Sequence, residues 1–347
     1  MIATSCKARR ADSESYSESP RVITDVPGRP GGFWGSHTHL VQIRFDKAVL
    51  LRWLGKRWAE RVYGLLLAVK LLLCRSRFDA VVTGGGPCGM FFAWLQALVP
   101  WGRRPHVMVD CNWYVPRSRL RHWLKRLEVQ AAAAVVDTFV VWASHEVEDY
   151  ARAFNVGRHK FRYVPFHSTL DYYTYDLRDE GYLFAGGNYD RDFLTLVRAV
   201  TDCPVPTLIA TTRRRELLGD TEVPEHVRIQ GTTHEGFRQA MAAARLVVVP
   251  MANGLLHSGG QQTCLNAMVM GKPTIAVGRR WATDLIRHGD TGLIVDYEDV
   301  EGLRQAIQWV LNNPGEAQQM AARGQQHAAH FSTRRCMETI YRLALGA

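Results

Sequence analysis

The stretch Arg245–Arg279, RLVVVPMANGLLHSGGQQTCLNAMVMGKPTIAVGR, decides the fold. Leu246–Met251 is an apolar run of strand length, and Thr274–Val277 is a second, so both read as buried strands. Between them lie a polar loop and a short helix opening near Gln261. Gly259 and Gly260 stand where the loop turns into that helix, and there the first backbone N–H groups have no intrahelical partner. Those free donors and the helix dipole favour negative charge, and the loop follows the carboxyl end of a strand, where open α/β sheets hold their ligands. An ordinary strand–loop–helix would use the same glycines, so the reading depends on the rest of the chain.

Working outward, strands are expected at Tyr182–Ala185, Thr207–Ala210, Val227–Gln230, Leu246–Val249, Thr274–Val277 and Gly292–Val295. Helices fall between them at Asp192–Val200, His234–Ala244, Gln261–Met270 and Thr283–His288, followed by Val300–Asn312, Glu316–His330 and Thr333–Leu345. The first half alternates in the same way: strands at Phe78–Thr83, His106–Asp110, Thr138–Ser144 and Phe161–Pro165, with helices at Met90–Leu98, Arg117–Ala134 and from an N-cap at Ser144 to Phe154. Residues 47–75 read as one or two helices with Leu51, Leu54, Trp58, Val62 and Leu65 at helical spacing. Arg21–Phe45 reads as short strands around a Gly/Pro loop. Such alternation, twice over, specifies two α/β domains with parallel sheets. The expected organisation is a disordered tail over 1–20, a first domain over 21–170, a second over 171–330, and a closing helix over 331–347 that packs back toward the first domain.

The chain has 347 residues, room for two domains, and its 47% hydrophobic content is ordinary for a globular protein. Its seven cysteines include no Cys-x-x-Cys pair, which argues for a reducing compartment and against a disulfide framework or zinc site. No basic-then-apolar leader opens the chain, so a cytoplasmic location is expected. The net charge of +10 is uneven: residues 1–130 carry 21 Lys/Arg against 9 Asp/Glu, while the remainder is slightly acidic. The basic first part is therefore the part that would meet an anionic surface.

Gly84, Gly86 and Gly89 satisfy Gly-x-Gly-x-x-Gly between a strand and a helix, with Asp110 at the next strand end. This is the pattern of a dinucleotide-binding βαβ unit and would suit a flavin or nicotinamide oxidoreductase. The second half offers no further signature of that kind, and the same glycines suit a tight turn facing a cleft.

The second half resembles the nucleotide-sugar domain of GT-B glycosyltransferases of the family-4 retaining type. The resemblance rests on Asn266-Ala267-Met268-Val269-Met270-Gly271-Lys272-Pro273, set against Glu-Ala-Met-x-x-Gly-x-Pro, and on His288-Gly289-Asp290-Thr291-Gly292-Leu293-Ile294-Val295, set against Asp-Gly-x-Thr-Gly-x-Leu-Val. It implies two Rossmann-like domains facing across a cleft, a nucleotide-diphosphate sugar as co-substrate and no separate cofactor. The departures are specific. The two carboxylates of the family's Glu-x7-Glu fall on Ser258 and Asn266, and its Gly-Arg element reads Gly186-Gly187, with Arg191 near the position of the family's Lys.

The resemblance places the donor on Gly186, Gly187, Thr211, Gly259, Gly260, Gln261, Gln262, Thr263 and Asn266, with Arg191 meeting the diphosphate. Asp110, Arg191 and Ser258 are the catalytic candidates, Asp110 as base or as stabiliser of an oxocarbenium ion. Asp190-Arg191-Asp192 is a formal Asp-x-Asp, but Asp192 opens a helix and fits an N-cap better, so no metal is expected. His167 and His257 flank the same cleft and fit structural roles. The acceptor is expected to be lipid-linked or a polysaccharide. Helix Arg117–Ala134, with Leu120, Leu124, Leu127 and Ala131 on one face and Arg121 and Lys125 on another, joins Arg52, Lys56, Arg57 and Arg61 in a basic, aromatic-edged surface suited to anionic lipid. No nucleic-acid-binding module accompanies the charge. The alternatives are a GT-B scaffold without activity, given the missing carboxylates, and the oxidoreductase above.

Overall fold

The buried apolar runs and the glycine turns between them fold as the alternation requires, in a computed structural model that describes residues 21–29, 31–43 and 47–347. The tail over 1–20, with Cys6, and Phe45 lie outside the described residues. The first unit contains β1 (Val22–Thr24), α1 (Phe33–His37), β2 (Thr38–Leu40), α2 (Lys47–Cys74), β3 (Ala80–Gly84), α3 (Pro87–Leu98), β4 (His106–Val109), α4 (Arg119–Ala133), β5 (Thr138–Val141), α5 (Glu146–Phe154) and β6 (Phe161–Tyr163). The second contains β7 (Leu183–Gly186), α6 (Phe193–Thr201), β8 (Thr207–Ala210), α7 (Arg214–Leu218), β9 (Val227–Gln230), α8 (His234–Ala243), β10 (Leu246–Pro250), α9 (Gln261–Val269), β11 (Thr274–Val277), α10 (Arg279–Ala282), β12 (Leu293–Val295), α11 (Val300–Asn312) and α12 (Pro314–Ala328). The last helix, α13 (Thr333–Leu345), returns to the first unit.

Each unit holds a six-stranded sheet, ordered β2-β1-β3-β4-β5-β6 and β12-β11-β10-β7-β8-β9, and every strand pair is parallel. Helices cover both faces, which is why β4, β10 and β11 are buried along their whole length and read as unbroken apolar runs. In the second sheet β7 lies between β10 and β8, so the connections after β7 and β10 leave in opposite directions and open a crevice at the carboxyl edge. α13 closes the first unit by packing Cys336, Ile340 and Ala344 against Val22, Ala80 and Val107.

Several local expectations change. The apolar stripes of α2 and α4 do not face the core: Trp58 is 60% exposed and Leu120 64%, with Leu51, Leu65, Leu124 and Leu127 also exposed. α4 is instead seated through Val129, Ala132 and Ala133, and α2 through Ala59, Ala68 and Leu71, where small side chains let the helix approach closely. Periodicity identifies an apolar stripe but not what covers it. The helix read at Thr283–His288 begins earlier and ends at Ala282; it is anchored by Trp281, fully buried with its Nε1 donating to the Val277 carbonyl at 3.0 Å. Ser144 does not cap α5, because its Oγ and N–H both bond Asp284 at 2.7 Å. Helices α1 and α7 were not anticipated. Asp192 does cap α6, with Oδ1 accepting the Thr195 N–H at 3.0 Å.

Candidate functional site

Two cavities of about 990 and 980 Å³ lie between the units, and Asn188, Tyr189 and Arg191 border both. Asn188 shapes this shared wall by accepting from the Thr211 hydroxyl and the Thr212 N–H and hydroxyl, at 2.9–3.2 Å. Arg191 then folds back across the loop. Its Nε donates to the Gly186 carbonyl at 3.0 Å, and its Nη1 to the Tyr189 carbonyl at 3.1 Å and to Met251 Sδ at 2.9 Å. Gly187 makes this possible: its φ of +128° is in glycine territory, and a Cβ there would lie 2.7 Å from Arg191 Nε. Arg191 forms no ion pair with a carboxylate among the described residues. Burial lowers its pKa to about 10, partly offset by Asp190, so it stays cationic at neutral pH.

Gly259 and Gly260 bring the start of α9 to the same place. Gly260 has no side chain to cap the helix, so the first N–H groups of α9 remain available beside the guanidinium. A partly buried cation without a carboxylate and an uncapped helix start together form an anion site in the crevice.

The expected site residues distribute as follows. Asp110, Gly187, Thr211, Gln262, Thr263 and Asn266 border the first cavity; Ser258, Gly259 and Gly260 border the second; Arg191 borders both. Gly186 and Gln261 are buried and border neither. Gly186 supplies the carbonyl that holds Arg191, and a Cβ on it would strike Phe237 at 2.4 Å. Asn266 is at the cavity wall with its amide engaged: Oδ1 accepts from Ser168 Oγ at 3.2 Å and the Thr169 N–H at 3.0 Å, and Nδ2 donates to Thr169 Oγ1. Asp110 adopts φ +55°, and its Oδ1 accepts from Trp142 Nε1 at 2.9 Å.

The glycine loop after β3 has a different use from the one its pattern suggests. The Gly84 N–H donates to Asp25 Oδ1 at 2.9 Å and the Gly85 N–H to the Val109 carbonyl, so these two donors are engaged within the protein. A Cβ on Gly89 would come within 2.2 Å of the Gly84 carbonyl, so this glycine serves close helix–strand packing. Burial raises the pKa of Asp25, which also bonds Cys88.

Other site features gave no sequence signal. Arg29, from the loop after β1, stacks on Tyr172 and Tyr173 at 4.7 and 4.3 Å, and Arg238 of α8 stacks on Tyr173 at 3.7 Å. A polar seam also crosses the cleft. Fully buried Glu146 accepts from the N–H groups of Trp142, Ala143 and Ser258 at 2.9, 3.2 and 2.6 Å, and its Oε1 lies 3.3 Å from His257 Nδ1. His167 is held by Ser168 and Thr333, and burial lowers its pKa.

Two parallel α/β units with ligand-sized cavities between them define the GT-B architecture. Residues 191–313 match the family model described as Glycosyl transferases group 1. The fold is similar to that of sucrose-phosphate synthase from Thermosynechococcus elongatus (16% identity, TM-score 0.64, covering 88% of this chain and 82% of that one). It is also similar to HepE from Anabaena solved with UDP-glucose (14% identity, TM-score 0.67, 94% and 99% covered) and to a glycosyltransferase from Rickettsia africae (13% identity, TM-score 0.62, 90% and 86% covered). No curated protein sequence matches the chain.

Proposed function

We propose that this protein transfers a hexosyl group from a nucleotide-diphosphate sugar to a lipid-linked or polysaccharide acceptor, without a metal ion. The observation that carries the reading is Arg191, a cation with no ion-paired carboxylate among the described residues, set beside the uncapped start of α9 within the stretch that matches the group 1 model. Together they supply the positive charge that a leaving diphosphate needs, which a metal ion would otherwise provide. Thr211, Gln262 and Thr263 line the first cavity beyond this point, where the nucleoside would extend. Asp110 turns a carboxylate toward the same cavity and would favour the positive charge that develops on the sugar. Retention of anomeric configuration is proposed from the resemblance alone. UDP-glucose is the first donor to try, because the structurally similar HepE binds it.

The test is calorimetric titration with a panel of UDP-, GDP-, ADP- and TDP-sugars, followed by assay of nucleoside diphosphate release with membrane extract as acceptor. Saturable binding of one donor and acceptor-dependent release are expected; no binding by any donor would refute the reading. Binding without release would favour the inactive scaffold, which the non-carboxylate residues Ser258 and Asn266 make a specific alternative.

We further propose peripheral association with anionic membrane. Among the described residues no helix is long and apolar enough to cross a membrane. α4 instead exposes Leu120, Trp123, Leu124 and Leu127 next to Arg119, Arg121 and Arg126, and Tyr114 and Val115 continue this surface into the wall of the second cavity. Such a surface suits a lipid interface that attracts the cations and accepts the apolar side chains. Converting Trp123 and Leu124 to Glu should lower sedimentation with phosphatidylglycerol vesicles by about tenfold or more, since burying one such side chain contributes roughly 1.5–3 kcal/mol. Equal sedimentation with and without the substitutions would remove the membrane claim.

A further inference from the structure

A chain of hydrogen bonds crosses the cleft at the wall of the second cavity. His145 Nδ1 lies 3.1 Å from Asp149 Oδ2, and His145 Nε2 lies 2.8 Å from Ser258 Oγ. An ionised carboxylate can only accept, so Nδ1 carries a proton, and in the neutral imidazole Nε2 is then the acceptor of the serine hydroxyl. Arg280 Nη2 donates to the same Asp149 oxygen at 2.8 Å and holds that carboxylate in place. The Ser258 N–H is fixed by Glu146, so the residue is held at both its backbone and its side chain. His145, Asp149, Ser258 and Arg280 all border the second cavity, as does Arg191. A serine whose hydroxyl donates to an imidazole oriented by a carboxylate is the arrangement that activates a hydroxyl.

We propose that Ser258, His145 and Asp149 form a proton relay and that the second cavity holds the acceptor hydroxyl. The inference rests on the glycosyl-transfer reading above and gives it a proton acceptor on the acceptor side. The acceptor oxygen bonds to the anomeric carbon on the face from which the diphosphate departs, as retention requires, and the electron pair of the broken bond leaves with the nucleoside diphosphate. The acceptor proton passes to Ser258 Oγ while the serine proton passes to His145 Nε2, and the imidazolium then releases it to solvent. Ser258 touches the reacting hydroxyl. Asp149 is a positioning residue that fixes the tautomer of His145. Other charged and titratable groups at this wall are Glu146, Arg152, Asp190, Arg191, His257 and Arg280, with Asp284 bonded to the preceding Ser144.

The relay makes Ser258 nucleophilic whether or not a sugar is present, so diisopropyl fluorophosphate can test it on the whole chain. A single phosphoryl adduct should map to Ser258 by peptide mass. Ser258→Ala should abolish it. Asp149→Asn, which preserves size, should slow it about 10²-fold or more through the wrong tautomer, as should His145→Gln. No adduct at Ser258, or an adduct formed at the same rate in Asp149→Asn, would overturn the relay. Labelling without donor turnover would count against the transferase and leave the relay standing, whereas turnover without labelling would refute only the relay.

Discussion

Replacing Arg191 with Gln is expected to weaken UDP binding by on the order of 10²-fold, measured by isothermal titration. The guanidinium is held by the carbonyls of Gly186 and Tyr189 and by Met251, and no described carboxylate neutralises it. A charge-assisted hydrogen bond contributes about 1.5–3 kcal/mol, and 1.4 kcal/mol is a factor of ten in affinity. Gln keeps one donor and loses both the charge and the fork. Arg191→Lys restores the charge as a point without the planar fork, so it should fall between the two. The cost to folding should be on the order of 1–3 kcal/mol, because the freed Tyr189 carbonyl stands at a cavity wall that water can reach whereas the freed Gly186 carbonyl is buried. Unchanged affinity for UDP in Arg191→Gln would mean that the diphosphate lies elsewhere.

The second large effect concerns the seam. Glu146→Ala should destabilise the protein by on the order of 3–5 kcal/mol, because it leaves three N–H groups around a fully buried carboxylate without their acceptor. For domains of this size that corresponds to a fall in apparent Tm of roughly 5–15 °C in a thermal melt. The loss should be local as well as global. Amide exchange at Ser258, whose N–H is held by Glu146 from 112 residues away, should accelerate well beyond that of the core strands. Glu146→Gln keeps one acceptor oxygen and should be milder. A melt and a Ser258 exchange rate like those of the parent protein would show that the seam holds nothing together.

The site was legible in the sequence in proportion to how local its parts are. Gly259 and Gly260 turn into a helix because of their own backbone freedom, and Arg191 follows its strand by only five residues, so both could be placed without a fold. The charge state of the crevice could not. That Arg191 is held by Met251, that the Asn266 amide is engaged by Ser168 and Thr169, and that His145 meets Ser258 are facts about residues 60 to 113 positions apart. The Gly84–Gly89 pattern shows the same limit: the glycines are where the motif puts them, but the Gly84 N–H is bonded to Asp25, 59 residues upstream.

By itself the sequence determined that the chain folds as two parallel α/β units, because strand and helix periods and buried apolar runs are set by neighbours a few residues apart. It also placed the uncapped helix start and the cation that make an anion site. Only the tertiary structure decided which faces are covered. α2 and α4 carry apolar stripes in sequence, yet the small residues Ala59, Ala68, Ala132 and Ala133 seat them against the core and leave Trp58, Trp123 and Leu124 outside. It likewise decided which charges are paired, because partnership across a cleft depends on how two separately folded sheets meet.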